Sequence, residues 1–178
     1  MKELLNFCKY FGKLRSVRVS IISVGRMKAG PERQLVERYQ TRARATGRGL
    51  GFSGFDMVEI PESRGRREVD RQLEEMNALL ARAENAHMIL FDERFPSPAS
   101  TEFFGKIGLW KDNGIPHVAC LLGGPDGVAP SLRNRAHWGI SFGRFSLPHQ
   151  LARILVFEQL YRAMTLLAGH PYHRAGQD

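Results

Sequence analysis

PHVACLLGGPDG, Pro116–Gly127, decides the fold. Its first seven residues form an apolar run of strand length, and the run ends abruptly in a glycine-rich turn. That is the form of a buried strand in a parallel sheet, opening at its carboxyl end onto a loop. The same form recurs on both sides. Upstream, His87–Phe91 (HMILF) is a short apolar run ending at Asp92, and Val17–Gly25 (VRVSIISVG) is β-branched with Arg18 and Ser20 interleaved. Phe55–Ile60 (FDMVEI) alternates into a further strand closed by Pro61, after a glycine-rich loop over Gly47–Gly54. Downstream, His137–Phe142 is a fifth strand-like segment. Helical patterns lie between them. Pro31 opens one through Leu35, Val36 and Tyr39, and Glu68–Asn85 spaces Val69, Leu73, Met76, Leu79 and Leu80 as a buried stripe. Ser97 or Ser100 caps a third that runs to about Asp112. A long terminal helix from about Pro148 to Leu167 has Ser146 as a possible cap and Leu151, Ile154, Leu155 and Leu160 as its stripe. Strands alternating with helices predict an α/β fold, a mainly parallel sheet with helices on both faces. The length of 178 residues, 43% apolar, suits one domain.

Charge narrows the partners. Lys and Arg number 26 against 18 Asp and Glu, a formal net charge of +8. The whole surplus lies in residues 1–71, which hold 16 basic and 8 acidic side chains, whereas residues 72–178 hold 10 of each. Arg outnumbers Lys by 20 to 6, and a guanidinium forks onto phosphate oxygens or stacks on bases as an ammonium does not. This leans toward nucleic acid, with a merely basic surface as the alternative on charge alone. The two cysteines, Cys8 and Cys120, are far apart, so neither a disulfide framework nor a zinc site is expected, and a reducing cytoplasm fits. No apolar stretch approaches the roughly 20 residues of a membrane span. Met1–Val17 lacks the continuous apolar region of a secretory signal.

Ligands of parallel α/β sheets gather at the carboxyl ends of strands, so the segments following the apolar runs at Phe91, Gly123 and Phe142 are the informative ones. Gly123–Gly127 lets main chain approach a ligand, although a glycine turn after a strand is often only a turn. By this reading Gly123→Val places a branched side chain where main chain meets ligand and leaves the fold intact. No G-x-G-x-x-G opens the first helix, which counts against a dinucleotide fold. Polar groups concentrate in ISFGRFSLPH (Ile140–His149) and PYHR (Pro171–Arg174). His149 and Arg153 are four apart on one helix face. Glu158 and Arg162 have the same spacing and read as an ordinary helical ion pair.

Taken together, VSIISVGRMK, LFDERF, GGPDG, FGRFSLPHQLAR, EQLYRA and YHR, in that order over roughly Val17–Arg174, resemble the SPOUT-class methyltransferases that modify N3 of a pseudouridine in bacterial large-subunit (23S) ribosomal RNA. The resemblance implies a C-terminal trefoil knot, an exception to unknotted connectivity. It also implies S-adenosylmethionine bound by Phe91, by Gly123 with Gly124, and by Phe142, Gly143, Arg144, Phe145, Ser146 and Leu147. Family members commonly have Leu in place of Phe91 and often Ser in place of Gly143. The aromatics of FGRFSL also read as core. No metal is implied. For the proton on N3, His173 is the first candidate base and His149 the second, while Arg153 orients RNA or stabilises charge. Tyr172 and Arg174 would hold the target base and its phosphate. Arg64, Arg66 and Arg67, with Arg42, Arg44 and Arg48, would lie across RNA backbone. The expected substrate is the stem-loop reaching the decoding centre (helix 69) on the assembled ribosome, and the expected state is a homodimer packed through Leu147–Leu167. Residues 1–16 read as an N-terminal extension outside a single domain over 17–178. Two other classes compete: a ribosome- or RNA-binding protein of this fold without catalysis, and an unrelated flavodoxin-like or nucleotide-dependent enzyme.

Overall fold

A computed structural model describes residues 16–169. The expected N-terminal extension, except Ser16, and the expected tail residues Tyr172, His173 and Arg174 lie outside this range. The strands are β1 (Val17–Val24), β2 (Phe52–Ile60), β3 (His87–Phe91), β4 (His117–Leu122) and β5 (Trp138–Ile140). They form one sheet in the order β2-β1-β4-β3-β5, with every neighbouring pair parallel. The helices are α1 (Pro31–Arg48), α2 (Glu68–Arg82), α3 (Ser100–Asp112), α4 (Pro130–Arg135) and α5 (His149–Leu167).

Strand alternation divides the core between the two faces of the sheet. On β1, Val17, Val19 and Ile21 meet side chains of α1, α3 and α5, among them Val36, Ile107, Phe157 and Leu160. Ile22 and Val24 point the other way, onto Met76 and Leu79 of α2 and Leu132 of α4. Helices therefore cover both faces, as a sheet of near-continuous apolar strands requires.

Four local expectations are corrected. Helix α1 runs on to Arg48 and β2 begins at Phe52; Gly47 lies within the helix, where a side chain would press on the ring of fully buried Phe55, so it serves close packing and not a loop. Phe55 is the extra residue of a β-bulge against Val19 and Ser20, with φ 59°. Helix α2 is rotated from its apolar stripe: Val69 and Leu73 are 70% and 49% exposed, whereas Glu75 is 4% exposed. On α5, Leu151 is exposed and Arg153 is buried. None of the three serines caps a helix: Ala99 precedes α3 and Pro148 precedes α5, while Ser146 donates to Glu93 Oε2 at 3.2 Å. The Glu158–Arg162 pair forms, at 2.6 Å.

Candidate active site

The carboxyl ends of β3, β4 and β5 and the first turn of α5 enclose a cleft of about 300 Å³, within the size range of small-molecule sites. Phe91, Gly123, Gly124, Phe142, Gly143, Phe145, Ser146 and Leu147 all line it. Three loops far apart in sequence thus meet because their strands end side by side. Arg144 is exposed and does not line the cleft. The rings of Phe91 and Phe142 stack at 5.2 Å between centroids, an apolar platform in the floor. Asp92 is held by Arg133 of α4 at 2.8 Å, which secures the end of β3. Glu93, at the rim, offers a carboxylate to a cationic ligand group.

The Gly123–Gly127 turn is braced from behind by α2. Arg71 forks onto Asp126 with 2.6 and 2.9 Å contacts, and the Gln72 side chain donates to Asp126 O at 2.8 Å. Glu75 accepts from Ser63 N at 3.0 Å through Oε1, while Oε2 is buried without a hydrogen-bond partner. That oxygen lies 2.6 Å from where a side chain on Gly124 would begin. A side chain on Gly123 would run into Val128 and the Gly127 carbonyl. Gly123→Val therefore disturbs the turn itself, which corrects the expectation that it would obstruct ligand in an intact fold.

Burial raises the Glu75 pKa, with Asp126 and Glu62 adding to the effect and the Ser63 N–H and Arg71 opposing it. Its native pKa lies above the unfolded value, so the folded state keeps this proton to higher pH. Stability contributed at low pH is then lost as pH rises from the ordinary carboxylate range through the raised value. Glu75→Gln, an isostere of the neutral acid, is expected to remove that slope in urea unfolding midpoints measured from about pH 4 upward. An unchanged slope in the variant would assign it to another group.

His149 lines the cleft, and Arg153, one turn further along α5, does not. Burial lowers the His149 pKa, the Arg153 charge lowers it further, and Glu62 works against both. A neutral imidazole can accept a proton. Arg153 is 3% exposed and donates to the carbonyls of Val24 and Gly25 at 2.5 and 2.9 Å, with Glu59 at 3.5 Å. Its guanidinium is thus engaged with the end of β1, in contrast to the expected RNA-orienting role.

The basic side chains separate to the two ends of the sheet. Arg64, Arg66 and Arg67 lie in the loop after β2, at the cleft end, with Arg67 paired to Asp70 at 2.6 Å. Arg42, Arg44 and Arg48 lie toward the far end of α1, where Arg44 donates to Gly54 O and pairs with Asp56, and Arg42 sits over Tyr161. The expected single basic surface is therefore two. Cys120 is fully buried in β4, and burial pushes its thiol pKa up to about 12. Among the described residues no group of three or more His, Cys, Asp or Glu could hold a metal ion, and no helix is long and apolar enough to cross a membrane. Arg133 in the cleft lining, and Glu59, Glu62 and Glu75 around the residues that support it, were not legible from the sequence, because β2 with the loop after it, α2 and α4 bring them there.

An all-parallel α/β sheet with a cleft over three strand ends, of the size that takes a small molecule, defines the class of α/β proteins whose sites sit at the carboxyl ends of their strands. Residues 17–173 match the family described as "Predicted SPOUT methyltransferase". The chain belongs to the SPOUT methyltransferase family. It is 48% identical over 160 residues to "Ribosomal RNA large subunit methyltransferase H" of Bradyrhizobium sp. (strain ORS 278), covering 89% of this chain and 99% of that protein. A protein of the same name from Rhodopseudomonas palustris (strain BisA53) is 47% identical, covering 89% and 100%. Among solved structures, a probable methyltransferase from Bordetella pertussis Tohama I aligns at a TM-score of 0.49 with 16% identity, covering 85% of this chain and 95% of that one.

Proposed function

We propose that the protein methylates large-subunit ribosomal RNA, and specifically N3 of a pseudouridine in the helix 69 stem-loop of 23S rRNA on the assembled ribosome. The observation that carries this reading is the convergence of the three expected loops on one cleft with His149, whose pKa burial lowers, in its lining. The names of the similar ribosomal RNA methyltransferases support the substrate class. When bound, S-adenosylmethionine supplies an electrophilic methyl group. The cleft fits it: glycine backbone at Gly123 and Gly124, the Phe91–Phe142 platform, and Glu93 for a cationic group. Gly143, Phe145, Ser146 and Leu147 would close the site from the α5 side, with Arg144 outside.

N3 of pseudouridine lies between two carbonyls, so its nitrogen is a competent nucleophile only as the proton leaves. The protein must take that proton, align the base and exclude water. His173 is the proposed base, with His149 second, and Tyr172 and Arg174 hold the base and its phosphate. The proposed enzyme is a cytoplasmic homodimer with its C-terminal part threaded as a trefoil knot. Exposed Leu151 and the 87% exposed Phe145 support a second chain seated at this end of α5.

Mass spectrometry of ribosomal RNA from a deletion strain, with and without the gene restored, tests the reading. Loss and recovery of one methyl group on the helix 69 pseudouridine is expected, and unchanged RNA leaves a binding protein of the same fold. His173→Ala is expected to lower the single-turnover rate by about 10²- to 10⁴-fold with cofactor and ribosome affinity nearly unchanged. An unaltered rate across the pH range removes His173 from the mechanism.

A further inference from the structure

The loop Gly25–Gly30 (GRMKAG) leaves β1 between β2 and β4 and is held on several sides. Gly25 N–H donates to Ile60 O at 2.7 Å, and Arg153 caps the carbonyls of Val24 and Gly25. Met27 N–H donates to Glu59 Oε1 at 2.6 Å, and Arg33 donates to Met27 O at 2.5 Å while pairing with Glu59. The Met27 side chain is buried. A side chain on Gly25 would meet Glu62 Oε1 at 2.9 Å and Arg153 at 3.2 Å, and φ there is +88°. Desolvating a guanidinium is costly unless charge and hydrogen bonds compensate it, and here Glu59 and two carbonyls do so. A connection that merely joined β1 to α1 would not need such a brace.

What the brace holds outward is two cations. Arg26 and Lys28 flank buried Met27, both are exposed, and among the described residues neither side chain makes a hydrogen bond or ion pair. The loop continues from the end of β1 next to the cleft wall: Val24 Cγ1 lies 3.0 Å from where a side chain on the cleft residue Gly124 would begin, and Arg153, which braces the loop, follows the cleft residue Ala152. Arg64 and Arg66, exposed in the neighbouring loop, extend the same charge. A fixed backbone presenting free cations suits a ligand of regularly spaced negative charge, since less ordering is needed on contact.

We propose that the Gly25–Gly30 loop is a preorganised phosphate contact for the substrate RNA strand beside the methyl-transfer cleft, with Arg26 and Lys28 as the contacting side chains. This rests on the ribosomal RNA reading above. The test compares the full-length protein with an Arg26→Gln/Lys28→Gln variant, using ribosomes from a strain lacking the gene. Expected are a roughly tenfold or greater loss of ribosome affinity and a slope of log affinity against log salt shallower by about two in the variant. Cofactor affinity should be unchanged by calorimetry, and the charge-preserving Arg26→Lys/Lys28→Arg variant should restore most binding. Equal ribosome affinity and equal salt slope in the Gln variant, with wild-type protein methylating the same ribosomes, would overturn the loop assignment alone. Wild-type protein that fails to methylate those ribosomes would overturn the underlying reading and the loop assignment with it.

Discussion

Ala152→Phe is expected to reduce affinity for S-adenosylmethionine by about a hundredfold or more, a loss of roughly 3 kcal/mol. Ala152 lines the cleft from α5 together with His149, one turn further along the helix, and carries a small side chain. A phenyl ring at this cleft-lining position is expected to take up space assigned to the ligand. Ala152 also packs against the hydrophobic core, so the melting temperature is measured alongside, and the loss of affinity is read from variant protein shown to be folded. Calorimetric titration with the cofactor measures the effect directly. Wild-type affinity in a folded Ala152→Phe protein would place the cofactor elsewhere. This substitution is a cleaner probe than one at Gly123, where the turn itself would be strained against Val128.

Arg153→Ala is expected to destabilise the fold by about 3–5 kcal/mol, the range for removing one partner of a buried charged network. Two carbonyls at the end of β1 lose their donor, and Glu59 loses one of its two guanidinium neighbours. Arg153→Met should recover part of the loss, since it restores the packed stem without the donors. Urea unfolding followed by circular dichroism gives the difference. A midpoint unchanged in Arg153→Ala would mean that water satisfies the β1 carbonyls as well as the guanidinium does. The size of this effect follows from position: among the described residues α5 is the last helix, and Arg153 ties it to β1, the first strand.

The alternation of apolar runs and helical patterns carried enough information for the five parallel strands and four of the five helices. Strand periodicity and glycine turns are local properties, so they are readable without knowing the partners. The short helix α4, Pro130–Arg135, escaped because six residues hold too little periodic signal. The rotation of α2 escaped for a different reason. Val69 and Leu73 have the spacing of a buried stripe, yet the helix turns Glu75 inward because the Gly123–Gly127 turn lies against that face.

The candidate site divides in the same way. The cleft loops read at Phe91, Gly123 and Phe142 were legible because an ordered set of motifs marks them, and parallel pairing brings the ends of β3, β4 and β5 together beneath them. Charge totals placed a basic surplus in the first 71 residues, but composition has no direction. Only the crossing of α1 from one end of the sheet to the other separates Arg42, Arg44 and Arg48 from Arg64, Arg66 and Arg67. Likewise, the four-residue spacing of His149 and Arg153 puts both on one helix face, which the sequence determines. Tertiary structure decides that the first reaches the cleft and the second reaches β1, because a long guanidinium stem binds whichever carbonyls and carboxylate the fold sets within its reach.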